Sequence, residues 1–134
     1  MQTLQKLPRL HMTTSAIFLT VIDDFTHFCQ VILLSRKSEV SECLKNYVNA
    51  SEAFLERKVC KIRCDNGGEF TGKELKQWCK SKGITLDFTI PYSPQLNGTA
   101  ERMIRTIMEK ARSLLFDSKL GDEMWGEALL TSAF

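Results

Sequence analysis

Two runs of β-branched and aromatic residues, IFLTVID at 17–23 and FCQVILL at 28–34, are separated only by DFTH. Side chains of this kind suit the pleated, half-buried surface of a strand. The short polar link leaves room for a turn and little else, so the pair is predicted to form an antiparallel hairpin. Beyond the hairpin, helix and strand patterns alternate. SEVSECLKNYVNASEAFLER (38–57) repeats Val40, Leu44, Tyr47, Val48, Phe54 and Leu55 at helical spacing, with Ser38 as a candidate N-cap. VCKIRC (59–64) is a third strand. GKELKQWCKSKG (72–83) gathers Leu75, Trp78 and Cys79 on one helical face and ends on Gly83, a C-terminal cap. ITLDFT (84–89) is a fourth strand, followed by the loop IPYSPQLNG. A long helix from Gly98 to Phe116 carries Ala100, Ile104, Ile107, Met108, Ala111, Leu114 and Leu115 as its apolar stripe, and DEMWGEALLTSAF forms a last amphipathic helix. Hairpin, helix, strand, helix, strand, helix is the order of a mixed α/β sheet with a parallel portion.

The 134 residues fit one domain, and a composition of 25% charged and 43% hydrophobic residues is that of a globular chain, not a disordered one. A net charge of +2 neither requires nor excludes nucleic acid, because binding follows local clusters of Lys and Arg. No apolar run approaches membrane-spanning length, and the first residues lack the apolar core of a signal peptide, so an intracellular setting, nucleus or cytoplasm, is expected. The five cysteines (29, 43, 60, 64 and 79) form no CxxC pair. They read as free thiols rather than as a disulfide framework or a zinc site.

RCDNGGEF (63–70) is the first candidate site. A strand runs into Asp65, and Asn66-Gly67-Gly68 then supplies residues that tolerate positive φ. Glu101 comes after Asp65 with 35 intervening residues, in the first turn of the long helix. Parallel strands joined by a short helix bring neighbouring strand ends together, so these two carboxylates can converge and offer oxygen ligands to a divalent ion such as Mg²⁺. Two ordinary explanations stand beside that one. An acidic residue in a helix's first turn favours the helix dipole, and DNGG alone is a turn.

Four motifs carry a resemblance. IRCDNGGEF, IPYSPQLNGTAERMIRTIMEKAR and KLGDEMWGEALLTSAF, with FLTVIDDFTHFCQVILLSRKSEV before them, resemble the integrase catalytic core of copia-type LTR retrotransposons, in the same order and over residues 17–134. The resemblance implies a ribonuclease H-like fold and the DDE class of polynucleotidyl transferases. Members of that class act in DNA integration, processing 3′ ends and transferring strands with Mg²⁺ or Mn²⁺ held by three carboxylates. Asp65 and Glu101 match two of the three as metal ligands and catalytic residues. Tyr92, Gln95 and Asn97 fall in the family's loop near the DNA end, and Arg105 falls where family members contact phosphate, with Arg102 a further candidate for nucleic acid; a solvated helix face is the ordinary alternative for Arg102, Arg105 and Lys110. The implied partners are DNA and, in the full-length family member, further copies of the same chain.

The first carboxylate does not match. It belongs on a strand ahead of the hairpin, central in the sheet, and there this chain reads MQTLQKLPRLHMTTSA without an acidic residue. Asp23 and Asp24 align outside the triad and are assigned to the hairpin turn. Residues 1–16 are therefore set apart as a non-matching segment and 17–134 as a partial core, with the first strand missing or replaced. Leu4, Leu7 and Leu10 recur every third residue and Pro8 cannot donate to a ladder, so a poor filling of that slot is expected. Loss of the first ligand predicts a chain inactive in strand transfer by itself. A non-catalytic nucleic-acid-binding module, with Arg102, Arg105, Lys110 and Arg112 on one helix, or a retroelement fragment without function, is the alternative.

Overall fold

A computed structural model describes residues 4–12, 17–89 and 98–133, with residues 4–12 as backbone. Among them five strands form one sheet in the order β3-β2-β1-β4-β5. The strands are β1 (Leu4–Met12), β2 (Ile17–Asp23), β3 (Cys29–Leu34), β4 (Val59–Cys64) and β5 (Thr85–Phe88), and the helices are α1 (Val40–Leu55), α2 (Gly68–Thr71), α3 (Lys73–Lys82), α4 (Gly98–Ser118) and α5 (Trp125–Ser132). The hairpin is β2–β3, antiparallel from Ile17↔Leu34 to Ile22↔Cys29. Strands β4 and β5 are parallel, in register from Lys61↔Thr85 to Cys64↔Phe88, as a helical crossover demands.

The slot for the first strand is filled. β1 pairs with β2 along its length, from Lys6↔Asp23 to Met12↔Ile17, and with β4 only at Leu4, Gln5 and Lys6, with a register shift after Leu4. Pro8 thus lies beyond the last residue paired to β4, an edge-like position where a missing N–H is tolerated. Pairing on both sides makes this strand, not the alternation of its own side chains.

Alternation along β2 and β4 sends side chains to two cores. Leu19 and Val21 of β2 and Ile62 and Cys64 of β4 join Val40, Leu44 and Val48 of α1 and Phe70, Leu75 and Cys79 on one face of the sheet. Phe18 and Val31 meet Ile107 and Ala111 of α4 and Ala128 and Leu129 of α5 on the other, while Ile22 meets Ile104. Gly126 lets α5 lie close to β3, since a Cβ there comes 3.0 Å from Leu33 Cδ1.

Several local expectations change. Ser38 is not the cap of α1. A single 3-10 turn, Lys37–Glu39, precedes the helix, and the Glu39 carboxylate accepts the Ser35 and Arg36 N–H groups at 3.0 and 3.3 Å. Phe54 is 86% exposed rather than part of the α1 stripe, and Leu114 is also exposed. Both stand near helix ends, where the sheet no longer covers the continuing apolar pattern. Gly83 behaves as predicted: at φ 74 it donates to Lys80 O at 3.2 Å, and Ile84 N–H reaches Cys79 O at 2.8 Å.

Candidate functional site

The site is built at the end of β4. Because Ile62 and Cys64 point to the α1 core, the alternate positions Lys61, Arg63 and Asp65 belong to the face that α4 covers. Asp65 directly follows the strand and is half-buried. Its Oδ1 accepts the Gly67 N–H at 3.1 Å, which closes a local turn around the carboxylate. Gly67 has φ −57 and ψ 144, so the glycine is not there for positive φ. It is there for space, because a Cβ at Gly67 comes 3.0 Å from Asp65 Oδ1 and closer still to the Glu69 carboxylate. The chain then enters α2, a four-residue helix that buries Phe70 in the core and anchors the turn from below.

Glu101 is exposed in the first turn of α4. Arg102 and Arg105 come after it, also exposed. The Arg102 Nε donates to Gly98 O at 3.1 Å, so that guanidinium is turned back on the start of its own helix. Arg105 presents its charge outward. Tyr92, Gln95 and Asn97 lie outside the described residues.

Asp23 and Asp24 take the turn role assigned to them. Asp23 is 3% exposed, and its Oδ2 accepts the Thr26 N–H at 3.0 Å and the Thr26 hydroxyl at 2.6 Å. His27, at φ 58, completes the turn by donating to Asp23 O at 2.8 Å.

One charged group on β4 and β5 was missed in the sequence. Asp87 of β5 accepts from Lys61 Nζ at 2.9 Å and from Arg63 Nε at 3.3 Å. The Lys61 hydrogen bond, aided by Arg63, holds the Asp87 carboxyl below its usual value despite some burial. The polar alternation of Lys61, Arg63 and Asp65 within VCKIRC and the residue after it was the signal for it. On the opposite face burial pushes the Cys64 thiol up to about 12, with the Asp65 charge adding to the effect, and the Cys79 thiol up to about 11. These are inert core thiols, and all five cysteines, each among the described residues, are free.

The donor set does not fit a three-carboxylate metal centre. Among the described residues no three of His, Cys, Asp and Glu come together. Residues 1–16 and 90–97 contain no Asp or Glu at all, so neither β1 nor the loop before α4 can supply the first ligand as a carboxylate. His11 is the sole ligating residue type in those stretches, and it stands five residues past the last position paired to β4.

Comparison with known proteins places the architecture first. The fold is similar to that of the catalytic core domain of BIV integrase, with a TM-score of 0.71 and 19% identity, covering 96% of this chain and 80% of that one. It is thus a ribonuclease H-like α/β fold of the retroviral integrase kind. A family model described as integrase core domain matches residues 9–94. The chain belongs to the integrase core domain family. It is 42% identical over 117 residues to the retrovirus-related Pol polyprotein from transposon TNT 1-94 of Nicotiana tabacum, covering 87% of this chain and 9% of that protein. The copia-type resemblance read from the motifs is therefore upheld, and the chain corresponds to a small part of the length of that relative.

Proposed function

We propose that this chain serves DNA integration as a DNA-holding part of a retrotransposon integrase core and does not join strands by itself. Membership of the integrase core domain family carries the reading. Asp65 at the end of β4 and Glu101 in the first turn of α4 are its two carboxylates, the positions at which the family holds divalent metal. Arg102, Arg105, Lys110 and Arg112 are exposed along α4 and supply cations for phosphates. Tyr92, Gln95 and Asn97 are the proposed contacts of the preceding loop with a DNA end. The full-length family member works as a multimer on this reading, inside the cell, in cytoplasm or nucleus.

The chain's own residues provide two of the three carboxylates of the family's metal centre, so its part in integration is to hold DNA rather than to cut or join it. The test has two arms. Fluorescence anisotropy with duplex DNA should show binding that persists in EDTA and weakens with salt. Arg105→Glu should lower affinity and flatten the salt slope by about 1, the mark of a lost phosphate contact. In the second arm, a strand-transfer assay with Mn²⁺ and a matching DNA end should give no product. Product that disappears in Asp65→Asn would overturn the non-catalytic part of the reading, and absence of DNA binding would overturn the rest.

A further inference from the structure

Helix α3 divides its charges by direction. Glu74 and Lys82 reach across to α1, where they meet Lys45 at 2.5 Å and Glu52 at 2.6 Å. Lys73, Lys76 and Lys80, three and four residues apart, share one flank turned away from those pairs. All three are exposed, and Lys76 Nζ stands 5.5 Å from the centre of the Phe88 ring on β5, the end strand of the sheet among the described residues. The row therefore runs along the β5 edge, on the face of the sheet opposite α4.

The acids that could neutralise this row are engaged elsewhere. Glu69, one turn before Lys73, is folded back towards Gly67, and Asp87 of β5 is held by Lys61 and Arg63. Every acidic side chain of the sequence lies among the described residues, and none of them pairs with Lys73, Lys76 or Lys80. Like charges at these spacings oppose a helix, and Lys73 also stands at the end where the helix dipole disfavours a cation. The fold thus tolerates a local cost that its packing does not require. On a chain of net charge +2, three uncompensated lysines leave the remainder formally negative.

We propose that Lys73, Lys76 and Lys80 form a second nucleic-acid surface, which takes the backbone phosphates of duplex DNA along the β5 edge. It goes beyond the α4 surface and uses none of the same cations. From Lys73 to Lys80 the helix rises about 10 Å, the axial rise of about three nucleotides in one duplex strand. The flank offers no open ring for stacking single-stranded bases, since Lys76 stands over Phe88 and Lys82 over Trp78. The exposed residue within the row is Gln77 rather than an apolar anchor, so regular phosphates suit it better than an acidic peptide. Contacts of this kind position a duplex without reading its sequence.

Fluorescence anisotropy of a duplex over a salt series, with the full chain, tests the proposal. Lys73→Gln with Lys76→Gln and Lys80→Gln should flatten the log–log salt slope by about 3 and weaken binding at low salt on the order of tenfold or more. The Tm should not fall, because glutamine suits a helix and the like charges are gone. Lys37→Gln with Lys119→Gln, exposed charges on other elements, should leave the slope unchanged. An unchanged slope in the folded triple variant, or an equal loss in that control, would overturn the proposal. If the triple variant does not fold, Lys80→Gln alone decides, with a slope flatter by about 1 expected and no change counting against the row. Loss of poly-glutamate binding with duplex binding intact would assign the row to acidic protein and equally remove the proposal. Arg105→Glu separates the two surfaces. A slope that flattens in Arg105→Glu but not in the lysine variants removes this inference and leaves the α4 reading, and the reverse removes the α4 contact alone.

Discussion

The two faces of the sheet are built for different work. On the α1/α3 face, apolar residues from β2, β4, α1, α2 and α3 close into one continuous core. Its rim is fastened by charged pairs between helices: Lys45 Nζ meets Glu74 Oε1 at 2.5 Å, and Lys82 Nζ meets Glu52 Oε2 at 2.6 Å. On the α4/α5 face the described apolar residues divide into two smaller clusters, and Leu114 and Phe116 near the end of α4 and Leu120 just past it are exposed. That second face also carries Asp65, the Lys61–Arg63–Asp87 group and the helix of Glu101. The lesson is a division of labour, in which the face with the candidate site gives up continuous packing and the other face supplies the stability.

The sharpest way to break this comparison is to hollow each core in turn. Phe70→Ala removes a fully buried ring beneath the Asp65 turn and should cost about 3–5 kcal/mol in chemical denaturation. Ile107→Ala on the other face should cost less, about 2–3 kcal/mol, because neighbouring clusters are smaller and Ile107 keeps slight exposure. An Ile107→Ala loss equal to that of Phe70→Ala would refute the asymmetry. A smaller effect probes the close approach of α5. Gly126→Val forces new atoms onto Leu33 and should destabilise by about 1–3 kcal/mol, with Gly126→Ala milder because the Leu33 side chain can give way.

The smallest effect concerns acid. Burial raises the Glu52 carboxyl, but hydrogen bonds from Lys82 and the Val59 N–H, with the Lys82 and Lys58 charges, outweigh it and leave the group below its usual value. A carboxyl depressed in the folded state stabilises above its unfolded pKa, and the stabilisation is lost as pH falls through the folded one. The Tm of wild type should therefore approach that of Glu52→Gln as pH is lowered from about 7 to about 3. A Tm difference that is constant across that range would show that the pair adds nothing by charge.

Most of the architecture was legible because its signals are local. The hairpin needed only two β-branched runs and a short link, and the end of α3 needed only Gly83. β1 was not legible for the opposite reason. Its leucines at every third position and Pro8 argue against a strand, and its pairing with distant β2 and β4 decides otherwise. At the candidate site, Asp65 and Glu101 could be named from motif and spacing, and the structure puts Asp65 at the end of a strand and Glu101 at the start of a helix. The purpose of Gly67 could not be read, because the need for space beside a carboxylate is a contact, whereas tolerance of positive φ is a property of the residue type. The polar alternation of Lys61 and Arg63 marked a polar face of β4, but their tie to Asp87 depends on strand register, which that alternation does not encode.

The brief seam between β1 and β4 has a mechanical consequence. Among the described residues three paired positions join a meander of three strands to a parallel pair, so peptide hydrogen bonding there across the middle of the sheet is sparse. Helix α1 bridges the seam, sharing one core with Leu19 and Val21 on one side and Val59 and Ile62 on the other. A load pulling the two halves apart is thus borne chiefly by a greased splint and only slightly by a zipper. Side-chain packing of that kind resists separation while permitting small sliding displacements that a ladder of peptide hydrogen bonds does not.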